Sequence, residues 1–270
     1  MPDERDILDA YEKRGRHVTP AFIASIPWHE IKLHPLDPKF IPTLVYMRDV
    51  ERMTELYFDE LRRTATWNNP VIRTFMERWS TEEPIHGELL NRFLGEAGYP
   101  IEDQWYDKVK RAIPWQYRVS TTVINPTVAK LVGRPFETVH MVWGAINEYS
   151  TLNGYARLST LAAHPVLTKL LRGIMAEEAG HANFYASIAC AQLERSLRAQ
   201  KVSRFFIEKF WAPVGEGTKP MSEAMAVARS LFGSEEGVRF FDQRVSAVIR
   251  NFPGFAGSTR MTDVVSSSAP

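Results

Sequence analysis

The sequence carries the pattern Glu-Glu-x-x-His twice, at residues 82–86 and 177–181. In a helix, residues three positions apart lie on the same face, so the second glutamate and the histidine of each pattern can reach one point. These residues are Glu83 and His86 in the first pattern, and Glu178 and His181 in the second. Carboxylate oxygen together with imidazole nitrogen is a donor set that suits iron or manganese. The two patterns therefore predict helices that share a metal site.

The hydrophobic pattern is helical nearly throughout, and runs of alternating β-branched residues are scarce. We therefore predict an all-α fold. Its four long helices are expected over 42–63, 70–96, 136–161 and 165–197. They form two similar hairpins, which indicates a four-helix bundle with additional flanking helices. We expect one domain over residues 1–256, followed by a disordered tail over 257–270 that is rich in serine and threonine.

The positions of the glutamates relative to the two turns select the ligands. A di-iron bundle needs one glutamate from each of two helices and a Glu-x-x-His from each of the other two, all at the same depth. The midpoint between Glu51 and Glu83 is Trp67, and the midpoint between Glu148 and Glu178 is Ala163, so both fall at predicted turns. The predicted ligands are Glu51, Glu83, His86, Glu148, Glu178 and His181.

Two competing residue sets fit the depth argument less well. Glu55 in place of Glu51 moves the first midpoint to Asn69, at the edge of the turn. A third Glu-x-x-His, at Glu137 and His140, would place a turn inside the third long helix, where no turn signal exists. We therefore interpret Glu137 and His140 as a chance match.

The composition excludes several classes of protein. The chain has 33 Lys and Arg against 32 Asp and Glu, whereas nucleic-acid-binding domains are usually strongly basic. Cys190 is the only cysteine, so neither a disulfide within the chain nor a cysteine-rich metal site can form. The charged N-terminus does not look like a secretory signal, and no apolar run is long enough to span a membrane. We expect a cytoplasmic protein.

The ligand motifs resemble those of the soluble acyl-carrier-protein desaturases, a ferritin-like di-iron family. Residues 79–90 are similar to that family's W-T-A-E-E-N-R-H-G-D-L-L segment, and Glu148 with Thr151 matches its E-x-x-T. The segment 177–185 is similar to its D-E-x-x-H…Y, with glutamate in place of the aspartate. Tyr57 lies six residues after Glu51, as a tyrosine does in the family's first helix, which supports Glu51 over Glu55.

The resemblance implies a role for each matching residue. Glu51 with His86 and Glu148 with His181 would be the terminal ligands of two iron ions, and Glu83 and Glu178 would bridge them. Thr151 would lie on the oxygen-binding side. A route for electrons would run through Trp28, Glu177 and His86. Manganese accepts the same ligands and remains an alternative metal.

The resemblance also implies an activity and partners. The expected reaction is the O2-dependent introduction of a cis double bond into a carrier-bound fatty acyl chain, in a homodimer that takes electrons from a ferredoxin-type donor. Apolar residues beside the ligands could line the acyl chain: Leu90, Leu152, Ile174 and Met175. An acidic acyl carrier protein would dock on basic surface, and a basic stripe runs through Arg195, Arg198, Lys201 and Arg204. The same stripe is also typical of a solvated helix end.

Other functions share this ligand set. A di-iron hydroxylase or N-oxygenase would insert oxygen into a small or carrier-bound substrate. A ferritin-like metal-binding protein would need no substrate cavity, and a purely structural bundle would need no metal. The small subunit of ribonucleotide reductase usually has a tyrosine four residues after the first histidine, where this chain has Leu90. Pro84, inside the first motif, is a departure from the desaturase pattern and predicts a kinked helix.

Overall fold

The computed structural model describes residues 3–268, and no β-strand occurs within that range. The α-helices in chain order are α1 Glu4–Glu12, α2 Pro20–Ser25, α3 Ile41–Arg52, α4 Thr54–Arg62, α5 Pro70–Glu96, α6 Trp105–Ala112, α7 Trp115–Val119, α8 Asn125–Val132, α9 Pro135–Ala162, α10 Pro165–Arg195, α11 Leu197–Phe210, α12 Met221–Phe232, α13 Glu235–Phe241, α14 Ala247–Arg250 and α15 Arg260–Ser266. Short 3₁₀ segments are Trp28–Leu33, Pro38–Phe40 and Ala65–Asn68. Ser120–Ile124 and Asp242–Ser246 are π-helical. The predicted all-α fold is confirmed.

Local sequence signals set the starts of two of the long helices. The Asn69 side chain accepts hydrogen bonds from the backbone N–H groups of Val71 and Ile72, and Pro70 occupies the first turn of α5. In the second hairpin, Nδ1 of His164 accepts from the backbone N–H of Leu167 at the start of α10. These caps fix where each hairpin reverses, and therefore the relative depth of the residues on its two helices.

The two hairpins, α3–α4 with α5 and α9 with α10, pack into one bundle. Their facing side chains form a continuous hydrophobic core. Fully buried members from α3, α5, α9 and α10 include Leu44, Phe75, Leu90, Ile146, Leu171 and Tyr185. Burying such side chains stabilises the fold by about 1.5–3 kcal/mol each. This core supplies the stability that lets the bundle also hold buried charged residues.

The first long helix differs from the single helix expected over 42–63. The chain leaves helical geometry at Met53, where φ is −84° and ψ is 0°, so α3 ends and α4 begins there. The Thr54 hydroxyl donates a 2.7 Å hydrogen bond to the backbone carbonyl of Glu51 and so satisfies a group at the end of α3. The break therefore directly follows Glu51. In contrast, α5 runs without interruption through Pro84.

The prediction of a disordered tail over 257–270 is wrong for the residues that the structure describes. Met261 and Val265 are buried on one face of α15, and Arg260 donates to the backbone carbonyl of Trp211. Apolar residues four apart give this short helix a packing face, which the serine- and threonine-rich composition obscures. Residues 269–270 of the expected tail lie outside the described residues.

The flanking helices cover two sides of the bundle. Helix α1 packs against α5 and α10, whereas α12 packs against α3 and α9. Within residues 3–268, no helix has the length and apolar character needed to cross a membrane.

Candidate metal centre

All six predicted ligands lie together in the middle of the bundle, each of them buried. They form two groups of carboxylates and imidazoles. The first group is Glu51, Glu83, His86 and Glu178, and the second is Glu83, Glu148, Glu178 and His181. Within each group, one donor atom per residue lies within 4.8 Å of the others. Glu83 and Glu178 belong to both groups, so each group could hold a metal ion with these two carboxylates between them.

Several donor atoms of the cluster have no hydrogen-bond partner. They are Oε1 of Glu83, Nδ1 of His86, both carboxylate oxygens of Glu178 and Nδ1 of His181. Nδ1 of His86 lies 3.0 Å from an oxygen of Glu178, and Nδ1 of His181 lies 2.9 Å from an oxygen of Glu83, yet neither contact is a hydrogen bond. Unpaired polar atoms are costly in a protein interior. One cation in each group would satisfy these atoms, so the residues fit metal ions.

The charges of the cluster also favour a cation. Burial, together with the charges of Glu178 and Glu51, raises the pKa of Glu83 well above its usual range. Burial and the charge of Glu83 likewise raise the pKa of Glu148. Four carboxylates in this small volume repel one another unless positive charge is present. In the metal-free chain the two histidines supply it, because contacts with carboxylates outweigh burial and raise the pKa of His86 and of His181.

Each histidine is held by the first glutamate of the other motif. Nε2 of His86 lies 2.8 Å from a carboxylate oxygen of Glu177, and Nε2 of His181 lies 2.9 Å from one of Glu82. A proton on Nε2 that is donated to the carboxylate leaves Nδ1 as the free donor for a metal, which is the usual arrangement of metal-binding histidines. The resemblance predicts Glu177 as part of an electron route, and it predicts no role for Glu82. The doubled glutamate in both motifs was the signal that could have identified it.

The two terminal carboxylates are also held by neighbouring donors. The Tyr155 hydroxyl donates to Oε1 of Glu51, and the indole Nε1 of Trp79 donates to Oε1 of Glu148 at 2.9 Å. Tyr155 and Trp79 are both buried. One oxygen of each carboxylate is therefore fixed, which orients the other towards the centre.

The N-terminal segment covers the histidine–glutamate pairs. The Tyr11 hydroxyl donates a 3.0 Å hydrogen bond to Glu82, which also accepts from Arg78 at 2.7 Å. On the other side, the backbone N–H groups of His17 and Val18 each donate a 2.8 Å hydrogen bond to Glu177. Residues 11–18 thus hold both carboxylates in place and bury them.

An apolar cavity of about 80 Å³ adjoins one half of the centre. Glu51 and Thr151 both lie in its wall. The other lining residues are mostly apolar and come from the bundle and from the helices after residue 210; they include Met47, Val50, Gly154, Ala228, Leu231 and Phe232. The four residues expected to line an acyl chain are not among them: Leu90, Leu152, Ile174 and Met175.

Trp28 is buried, but the structure gives it no hydrogen bond to Glu177 or His86. Its indole N–H donates to the carbonyl of Ile23 at 3.0 Å, and the guanidinium of Arg92 lies 4.0 Å from its ring centre. Of the three residues of the expected electron route, Glu177 and His86 are joined by a hydrogen bond, and Trp28 is not joined to either by one.

Residues that were set aside from the ligand set have other partners. Glu137 accepts hydrogen bonds from Asn69 and Gln192, and Nδ1 of His140 lies 2.7 Å from the Thr66 hydroxyl. Glu55 pairs with Lys110 at 2.6 Å.

In the basic stripe, Arg198 donates to the carbonyl of Val132, and Arg204 donates to those of Gly254 and Ala256. These two arginines of the stripe hold neighbouring backbone.

Comparisons of the chain with protein-family models, with curated proteins and with solved structures found no match.

Proposed function

We propose that this chain is an O2-dependent di-iron oxidoreductase of the ferritin-like type that introduces a cis double bond into a carrier-bound fatty acyl chain. The observation that carries the proposal is the pair of buried ligand groups that share Glu83 and Glu178. Two such groups, built from four carboxylates and two imidazoles on four helices, match the requirements of a di-iron bundle. Iron is proposed over other metals because it combines this donor set with redox chemistry.

Each ligand has a defined task in this proposal. Glu51 with His86 would hold one ion, Glu148 with His181 the other, and Glu83 and Glu178 would bridge the two. When bound, the two iron ions would supply the redox chemistry that reduces O2 and oxidises the carbon chain. The surrounding residues keep the site dry and fix the donors: Glu177 and Glu82 hold the histidines, while Tyr155 and Trp79 hold the terminal carboxylates.

The cavity beside Glu51 supports an apolar substrate. Its wall offers hardly any polar side chain apart from Glu51, Ser150 and Thr151, so it would accept hydrocarbon and exclude ions. Thr151 lines the same cavity as Glu51, which supports a role for its hydroxyl on the oxygen-binding side. The resemblance to desaturases adds the acyl carrier protein, the ferredoxin-type electron donor and the homodimer to the proposal.

One observation favours an alternative reaction. The cavity volume of about 80 Å³ is well below the roughly 300–1,000 Å³ of most ligand pockets. A long acyl chain must therefore widen it, whereas a small apolar substrate would need less movement. Hydroxylation or N-oxygenation of a smaller substrate is the second candidate.

Mass spectrometry of the products separates these functions. Iron-loaded protein would be incubated with O2, a ferredoxin reducing system and acyl carrier protein that carries saturated C16 or C18 chains. Loss of two hydrogens from the chain supports desaturation, and gain of one oxygen supports hydroxylation. Glu83→Ala should abolish either product, whereas Glu88→Ala, an exposed glutamate on the same helix, should not. Full iron loading with no change in the chain would overturn the acyl substrate.

A further inference from the structure

Exposed apolar side chains concentrate in one part of the molecule. Helix α7, the π-helical turn and α8 follow one another from Trp115 to Val132. Five large apolar residues of this helical segment are exposed: Trp115, Val119, Val123, Ile124 and Leu131. Leu131 is 81% exposed and Trp115 is 68% exposed, so neither belongs to the core. Single exposed apolar residues are common, but a cluster of them marks a surface that binds something apolar.

This helical segment and the residues on either side of it are basic. Residues 108–136 contain six lysines and arginines and no aspartate or glutamate, although the whole chain has nearly equal numbers of both signs. Four of these cations are exposed and form no ion pair with a carboxylate of residues 3–268. They are Arg111, Arg118, Lys130 and Arg134. The segment therefore combines unpaired positive charge with exposed apolar side chains.

Helix α11 extends this surface. Val128 and Val132 of α8 share a small hydrophobic cluster with Val202 and Phe206 of α11. On the outside of α11, Leu197, Phe205 and Phe210 are exposed, and so are Lys201 and Lys209. We call the exposed residues of 115–134 and 197–210 the basic apolar face.

The charge pattern argues against a second copy of the chain as the partner. A two-fold-symmetric interface brings the same patch of both subunits together. The unpaired cations of α7 and α8 would then face each other across a dry contact. An anionic lipid surface complements both features, because apolar side chains insert among acyl chains while lysine and arginine contact the phosphates.

We propose that the basic apolar face docks the protein reversibly on anionic phospholipid bilayers. Trp115, Ile124 and Leu131 insert at the interface, and Arg118, Lys130 and Arg134 contact the lipid headgroups. The proposal stands on this surface alone and is independent of the chemistry at the metal centre.

The test is co-sedimentation of the full-length protein with vesicles at low salt. Vesicles of phosphatidylcholine alone would be compared with vesicles that contain about one-third phosphatidylglycerol. We expect binding to the anionic vesicles, weak binding to the neutral ones, and release at 0.5 M salt. Each of Leu131→Ser and Lys130→Glu should weaken binding about tenfold or more.

Matched controls lie in the 3₁₀ segment Trp28–Leu33, which packs beside α5 and α10. Leu33 is 70% exposed and Lys32 is exposed, so Leu33→Ser and Lys32→Glu repeat the same changes elsewhere. Both controls should bind as the unmodified protein does. The proposal is overturned if the protein does not bind anionic vesicles at low salt, or if the controls weaken binding equally. Binding of an acidic polypeptide without binding to vesicles would show instead that the face receives an acidic protein.

Discussion

Nε2 of His181 lies 2.9 Å from a carboxylate oxygen of Glu82, so the first glutamate of one Glu-Glu-x-x-His motif holds the histidine of the other. The reciprocal contact joins His86 and Glu177 at 2.8 Å. Because both motifs lie on long helices of different hairpins, these two contacts cross the centre of the bundle. The two glutamates of each motif therefore differ in position: the second lies in the candidate metal centre, and the first contacts the opposite histidine.

The crossed pairs predict that Glu82 and Glu177 matter for metal affinity although neither belongs to the two ligand groups. Glu82→Gln and Glu177→Gln should each weaken metal binding about 10–100-fold, because the histidine loses the acceptor that fixes its ring and tautomer. The dissociation constant can be measured by competition with a chelator. Glu77→Gln, at an exposed position of α5, is the control. Unchanged affinity in both variants would contradict a role for the crossed pairs.

Metal affinity should fall as the pH falls. The pKa of Glu83 and of Glu148 is raised by burial and by neighbouring carboxylates, and the pKa of His86 and of His181 is raised by their carboxylate partners. A metal must displace the protons that these groups hold, so binding releases protons. Each displaced proton should change the apparent dissociation constant about tenfold per pH unit.

Calorimetric titration with Mn²⁺ between pH 8 and pH 6 tests this directly. The same titration in buffers of different ionisation enthalpy counts the protons released. A dissociation constant that does not vary with pH would show that the donor atoms are already deprotonated in the metal-free chain.

His140, in the third Glu-x-x-His, should affect stability rather than metal binding. Burial lowers the pKa of His140 from 6.5 to about 4. The unfolded chain then binds a proton that the folded chain does not, so the free energy of unfolding decreases as the pH falls from 6.5 towards 4. The full effect is on the order of 3 kcal/mol.

His140→Gln should remove this contribution and keep an acceptor for the Thr66 hydroxyl. Urea unfolding of the metal-free protein at pH 7 and pH 4.5 would therefore show a smaller loss of stability in the variant. The exposed His29 provides the control His29→Gln, which should behave as the unmodified chain. Equal losses in His140→Gln and the unmodified protein would refute the prediction, and a loss of bound metal in His140→Gln would assign His140 to the metal site.

Local spacing made the cluster of six side chains predictable. The other contacts of the site depend on packing between residues far apart in sequence, which the spacing does not predict. Glu83 and His86 are three residues apart on one helix, and equal distance from a capped turn gives equal depth, so sequence suffices to predict that the six side chains cluster. The contact of Glu82 with His181 joins residues far apart in the chain, and a glutamate beside a ligand is equally typical of a solvated helix face. The break at Met53 and the buried face of α15 also depend on neighbours that are distant in sequence.

The position of the cavity also depends on helices that are distant in sequence. Its outer wall comes from α12, which sequence alone does not place against α3. Ala228 lies in this wall and is buried, so Ala228→Leu adds three carbon atoms to a cavity of about 80 Å³. We expect at least a tenfold loss of product formation with metal content unchanged, because the substrate and not the metal is displaced. Ala226→Leu, exposed on the same helix, should retain both activity and metal. Full activity in Ala228→Leu would place the substrate on another side of the metal centre.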